Sequence, residues 1–393
     1  MDAIARSVAA PALTLARTAA REVPSAIGRR NPGLDAARAL AILLVFGAHV
    51  GGLYLHAWPR TAIAFIYAGG TGVELFFSLS GFLIGRMLIG LARDGLRPPA
   101  IGRFLVRRWL RTLPLYYAAL LFICWQTGLW DWRPFLFLQN FSFFTRPQAL
   151  IVSWSLVLEE YFYFFFPFLM LAVAAATGWR GGRVAAAVAC GLIVICGCAR
   201  LAGFLLGVYG RDPTFHVNPI LRLDCAAWGV LAACLLQAVP ERLRQLFTGR
   251  VRLAAWVAAV LAATLCLGAL FVASFNPAWV RAVHYRQWSW IFLPLNDGYL
   301  NAIFAVLVVA LALGVRLPPR GIATATVGWL SRLSYSIYLV HVPLMVVLLP
   351  RLGFLPAPAR IVLFSLAVLA TSAATYAAIE QPFLALRDRF VPG

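Results

Sequence analysis

Apolar runs long enough to cross a hydrocarbon core of roughly 30 Å, which takes about 20 residues of helix, recur along the whole chain. They lie at 39–55, 72–91, 113–129, 151–173, 184–206, 219–238, 251–275, 299–315, 333–350 and 361–379, with arginines falling between them. In lipid a spanning segment must satisfy its own backbone groups, and a helix does so without a partner. The pattern therefore predicts an all-α, polytopic membrane bundle of about ten transmembrane helices, and an even count puts both termini on one side.

Composition agrees. The chain is 62% hydrophobic and 12% charged, with a mean hydropathy of +0.83, against about half apolar and a quarter charged for a soluble domain. All 34 basic residues are arginines. If the N-terminus is cytoplasmic, 24 of them fall on inner segments, nine on outer ones (Arg60, Arg133, Arg146, Arg200, Arg211, Arg281, Arg286, Arg351 and Arg360), and Arg222 lies within a span. That bias predicts cytoplasmic termini. Residues 1–33 read as a poorly ordered cytoplasmic tail with no h-region and cleavage site, 34–384 as the membrane domain and 385–393 as a short cytoplasmic tail. Outer loops are instead aromatic, as at Trp130, Trp132, Phe143, Phe144, Trp279, Trp288 and Trp290, where interfacial belts account for the rings.

The net charge of +20 is spread between spans and forms no patch or stripe, which excludes a nucleic-acid partner. Seven cysteines without CxxC spacing give neither a disulfide framework nor a zinc site, so no metal is expected. His56, His216 and His284 read as solvated loop residues.

Ionisable groups at membrane depth are costly and mark a functional site by default. Here they are His49, Glu74, Glu159, Glu160, Arg222, Asp224 and His341. Each also has a plainer reading, since pairs such as Arg222 with a carboxylate can simply hold helices together. Arg38 and His49 are eleven residues apart, which returns almost to the same helical face three turns, or roughly 16 Å, further on. An anion-binding group at one surface and a base deeper in would suit a long phosphorylated donor, although Asp35 is placed to pair with Arg38. Arg108 and Arg111 share a face at i and i+3, either as a phosphate fork or as a positive-inside anchor. Ser334, Tyr338 and His341 share one polar stripe, which interhelical hydrogen bonding alone could explain. Gly69, Gly70 and Gly72 beside Glu74 are too loosely spaced for a phosphate loop and suit close helix packing.

The order of local strings resembles the acyltransferase-3 family of integral-membrane O-acyltransferases, from about Leu34 to Phe383. LDAARALAILLVFGAHV is similar to the family's opening Arg-x10-His segment, on Arg38 and His49. GVELFFSLSGFLIGR is similar to its second-span signature, with Glu74, and RRWLRTLPLYY to its Arg-x-x-Arg element, on Arg108 and Arg111. WSLVLEEYFYFFFP carries Glu159 and Glu160; SYSIYLVH and IEQPF match closing motifs, and RLDCAAWG is a weaker seventh string. Tyr161 stands where the family commonly has Gln, and Val340 where it has Trp.

The resemblance implies transfer of an acyl group, commonly acetyl from cytoplasmic acetyl-CoA, to a hydroxyl of a saccharide or lipid-linked saccharide, by a multi-pass protein of the bacterial inner membrane. No SGNH-type domain is expected in this chain. Arg38, Arg108 and Arg111 are then expected to grip the donor phosphates. His49 acts at the thioester, either as general base for direct attack or as a covalent acyl carrier. Glu74, Glu159 or Glu160 is expected to orient the imidazole, and Tyr338 or His341 to bond the oxyanion or the sugar. A secondary transporter using the same groups as an ion path is the rival reading, disfavoured by the lack of repeated halves; a membrane scaffold is the third.

Overall fold

The computed structural model describes residues 31–391 apart from 55–58, 143–147, 207–216, 239–244, 248, 275–284 and 316–320. The expected N-terminal tail to residue 30, the loop histidines His56, His216 and His284, and Phe143, Phe144 and Trp279 thus lie outside the described residues.

Helices account for nearly all of what is described: α1 (Pro32–Tyr54), α2 (Pro59–Arg93), α3 (Pro98–Thr127), α4 (Trp154–Thr177), α5 (Gly182–Leu205), α6 (Ala227–Ala238), α7 (Arg250–Ser274), α8 (Tyr285–Gly314), α9 (Ile322–Arg351), α10 (Ala357–Thr375) and α11 (Gln381–Phe390). One π-helical turn, Tyr376–Glu380, joins α10 to α11. Their ends follow from sequence. Proline opens α1, α2 and α3, where its fixed φ suits a first turn and its missing N–H is not needed. Gly128 and Gly178 close α3 and α4 at φ 69° and 70°, each amide bonding a carbonyl four residues back.

Eight helical stretches among the described residues are long and apolar enough to cross a membrane. The other two predicted spans take a different form. Residues 113–129 belong to α3, a 30-residue helix whose first half carries Arg103, Arg107, Arg108 and Arg111. Of 219–238 only the twelve residues of α6 are helical, and turns precede them. The chain is a multi-pass membrane protein. Its periphery says so independently: Val251, Leu261, Leu265 and Leu270 on α7 and Val362, Leu363 and Leu366 on α10 point outward in rows that water would not tolerate.

The core is α2, packed against α1, α6 and α8, with α9 against α1, α3 and α10. Small residues set the closest crossings. A Cβ on Gly72 would lie 2.8 Å from the Ala41 carbonyl and one on Gly69 3.0 Å from Ala48, while Gly70 faces open space. Two of the three glycines thus serve helix packing. α2 and α6 approach more closely still, since a Cβ on Gly81 would sit 1.9 Å from the Ala226 oxygen and one on Gly229 2.1 Å from that of Ser78.

Arg200 requires a correction. It is a buried residue of α5, 2% exposed, and not part of an outer loop. Its guanidinium grips Asp224 through two 2.7 Å bonds and the Leu221 carbonyl at 2.6 Å. On the expected orientation, one fewer arginine then falls on the outer segments.

Candidate active site

α1 and α9 run side by side in the same direction, because contacts at two levels keep the same order along both. At one end Arg38 donates to Ser331 Oγ at 2.9 Å and to Asp35 at 3.3 Å, and Ser331 donates to Asp35 at 2.6 Å. Three turns further on, the rings of His49 and His341 meet edge to face with centroids 4.9 Å apart. The polar stripe on α9 therefore begins one turn earlier than the sequence reading placed it, at Ser331, and the line from Arg38 to His49 is met at both ends by the line from Ser331 to His341.

Each imidazole is oriented by its own helix. His49 Nδ1 lies 2.9 Å from the Val45 carbonyl and His341 Nδ1 2.9 Å from that of Ile337. A carbonyl only accepts, so each Nδ1 carries a proton and, in the neutral ring, each Nε2 presents a lone pair. The tautomer-fixing contact expected of Glu74, Glu159 or Glu160 thus comes from the backbone. His49 is half-buried; His341 is fully buried, with its Nε2 unpartnered.

The arginines gather at the Ser331 end. Arg111, exposed and without a hydrogen bond or ion pair among the described residues, lies within electrostatic range of Arg38, Arg108, Arg387 and Glu380. Arg108 is more constrained. It stacks 4.2 Å over the Tyr163 ring, donates to the Tyr163 hydroxyl at 2.5 Å and stands 3.7 Å from Glu159. Ser80 donates to Glu159 at 2.9 Å, which ties the second-span string to the WSLVLEE block. Glu160 accepts from Trp109 Nε1 at 3.1 Å and from Thr112 at 3.2 Å, and Tyr335 donates to the Thr112 carbonyl at 2.5 Å. Ser336 donates to the buried Glu380, joining the two closing strings. Glu160 therefore buttresses the arginine-bearing turn of α3 and makes no contact with His49.

Glu74 belongs to a separate buried network. It accepts two bonds from Arg222, at 2.8 and 3.0 Å, and one from Asn301 at 2.6 Å; Arg222 also reaches Asp297 at 2.6 Å. Tyr338 is likewise committed. Its hydroxyl proton goes to the Val152 carbonyl at 2.8 Å while Ser155 bonds its oxygen at 2.6 Å, so it anchors α9 to the start of α4. Sequence reasoning missed Ser331, Tyr163, Asp297, Asn301 and the burial of Arg200. Only Ser331 had a legible signal, as the next position down the α9 stripe.

A family model described as an acyltransferase domain, that of the acyltransferase-3 family, matches residues 31–378. The chain belongs to that family. It is 27% identical over 362 residues to the protein of Bacillus subtilis (strain 168) named "Putative peptidoglycan O-acetyltransferase YrhL", an alignment covering 82% of this chain and 50% of that one. It is 24% identical over 349 residues, with the same two coverages, to the peptidoglycan O-acetyltransferase OatA of Listeria monocytogenes serovar 1/2a. The chain thus spans about half the length of these curated relatives. No solved structure matches it.

Proposed function

We propose that the protein transfers an acyl group, acetyl foremost, from cytoplasmic acyl-CoA to a hydroxyl of an exported or cell-surface saccharide, within a bacterial inner membrane. Peptidoglycan, named for both relatives, is the first acceptor to test. One observation carries the reading: three arginines cluster at one end of the α1–α9 pair, and two imidazoles with open Nε2 atoms stand three turns along it. Phosphates need paired cationic donors, and guanidinium supplies them in a planar fork. The thioester lies at the far end of a long donor from its phosphates, so a donor held at Arg111 and Arg38 extends along α1 toward His49. Neutral imidazole with a free Nε2 is suited to act at that carbonyl near pH 7.

The test is acyl transfer from labelled acetyl-CoA, added outside proteoliposomes that enclose soluble peptidoglycan fragments. Label on the enclosed saccharide supports the reading. Intact acetyl-CoA and unlabelled fragments, with protein correctly inserted, refute it; an ion flux in the same vesicles would move the assignment to the transporter.

A further inference from the structure

His341 has a property that a structural histidine lacks. It is fully buried, its Nδ1 proton is committed to Ile337, and its Nε2 lone pair has no partner, although a buried acceptor left unmade costs about 1–3 kcal/mol. The nearest ring is that of His49, itself an acceptor at Nε2 for the same reason. Phe46 and Tyr338 are the other described aromatic rings beside it, at centroid distances of 6.2 and 6.1 Å, and the Tyr338 proton is already taken. Two adjacent lone pairs cannot satisfy each other. An electrophile arriving at one and an O–H donor arriving at the other would satisfy both.

We propose that the two imidazoles divide the reaction: His49 carries the acyl group and His341 is the base that deprotonates the acceptor hydroxyl. This rests on the acyltransferase reading above and chooses between its two open routes. His49 is the half-exposed member of the pair and shares its helix with Arg38, which suits it to meet the donor. Its Nε2 attacks the thioester carbonyl; the C–N bond forms, the C–S bond breaks and CoA leaves as its thiolate. The imidazole keeps its Nδ1 proton and becomes a cationic acylimidazolium. The acceptor hydroxyl, hydrogen-bonded to His341 Nε2, then attacks the same carbon. The C–O bond forms, the C–N electron pair returns to His49, and the hydroxyl proton passes to His341. That proton is finally returned through solvent to the CoA thiolate, so thioester plus alcohol gives ester plus thiol. The division explains why an imidazole is buried where a leucine would pack.

The experiment follows CoA release and saccharide acetylation separately in the purified full chain, with acetyl-CoA as donor and soluble peptidoglycan fragments as acceptor. In wild type a burst of CoA stoichiometric with protein is expected before any acceptor is added. His341→Gln, which preserves polarity but cannot take the proton, should keep the burst, accumulate hydroxylamine-labile label on the protein and lose transfer by about a hundredfold or more. His49→Gln should lose both. His341→Asn, differing in shape, guards against a packing artefact and should behave as the Gln variant does. Transfer by His341→Gln within a few-fold of wild type overturns the proposal, as does joint loss of burst and transfer in a His341 variant that still binds acetyl-CoA. A wild type that releases CoA only with acceptor present overturns the carrier role and leaves direct transfer; a wild type that releases none under any condition refutes the acyltransferase reading itself.

Discussion

Arg222 and Glu74 hold one another through two hydrogen bonds in the centre of the bundle, on residues 2% and 4% exposed. With Asp297, Arg200 and Asp224 they make a described set of three carboxylates and two guanidiniums. The imbalance dictates an asymmetric response to mutation. Glu74→Gln leaves two charges of each sign and keeps a group able to bond Arg222 and Asn301, so folding should survive. Arg222→Met takes from Glu74 and Asp297 the one guanidinium that bonds them both, a loss of about 3–5 kcal/mol on the scale of broken buried pairs. Thermal unfolding in detergent, followed by size-exclusion of the fluorescently tagged chain, should show Arg222→Met aggregated and Glu74→Gln monodisperse. Acyl transfer by Glu74→Gln should stay within about tenfold of wild type; a collapse of transfer in a folded Glu74→Gln protein would return that carboxylate to the catalytic group.

Helix packing gives a second paired prediction. Gly81 and Gly90 are two and a half turns apart on α2, yet a Cβ on the first meets backbone at 1.9 Å and one on the second meets nothing within 4 Å. Gly81→Ala must push α6 away from α2, and backbone cannot yield as a flexible side chain can. Gly90→Ala should instead stabilise by up to about 1 kcal/mol through helix propensity alone. Equal melting temperatures for the two variants would contradict the packing described.

The bundle was legible because apolar length and helical period are local properties, and the α1 line from Arg38 to His49 was legible because both residues lie on one helix. Partners between helices were not. Arg38 with Ser331, Glu160 with Trp109 and Thr112, and Glu74 with Arg222 and Asn301 depend on how helices far apart in sequence rotate against one another, which hydropathy does not encode. The same blindness explains Arg200, placed outside by counting although it lay within the apolar run 184–206. It also explains the glutamates: a carboxylate near an imidazole is a good expectation, but a carbonyl four residues back on the same helix was already available to each histidine.

Arg108 and Arg111 look equivalent in sequence and should behave differently. Arg108 is wedged on Tyr163 and beside Glu159, so Arg108→Ala removes packing and leaves a carboxylate without its cation. Stability should fall along with activity. Arg111 has no such internal engagement, and Arg111→Ala should fold normally while binding acetyl-CoA about 10- to 100-fold more weakly, the loss of one or more charge-assisted bonds. Arg111→Lys should recover only part of that affinity because an ammonium lacks the fork. Isothermal titration with acetyl-CoA decides it: unchanged affinity in a folded Arg111→Ala protein would make the pair a topological anchor.

His49 supports the sharpest separation of binding from chemistry. Its ring touches His341 and its Nδ1 bonds its own helix, so no interhelical hydrogen bond among the described residues is broken when it is replaced. Removing a polar group from membrane depth does not harm a helical bundle, and His49→Ala should melt at or slightly above the wild-type temperature. On the proposed reading the donor phosphates bind three turns away at the arginines, so affinity for acetyl-CoA should change by no more than a few-fold. Transfer should nevertheless fall by about a hundredfold or more, the usual scale for losing a general base or nucleophile at the reacting carbon. His49→Gln restores size and one acceptor atom but not proton affinity at neutral pH, and it should be nearly as inactive. Melting temperature, acetyl-CoA affinity and transfer rate measured on one preparation of each variant separate the roles: a parallel drop in all three would mean that His49 holds the helices together, whereas loss of transfer alone places the chemistry on its Nε2.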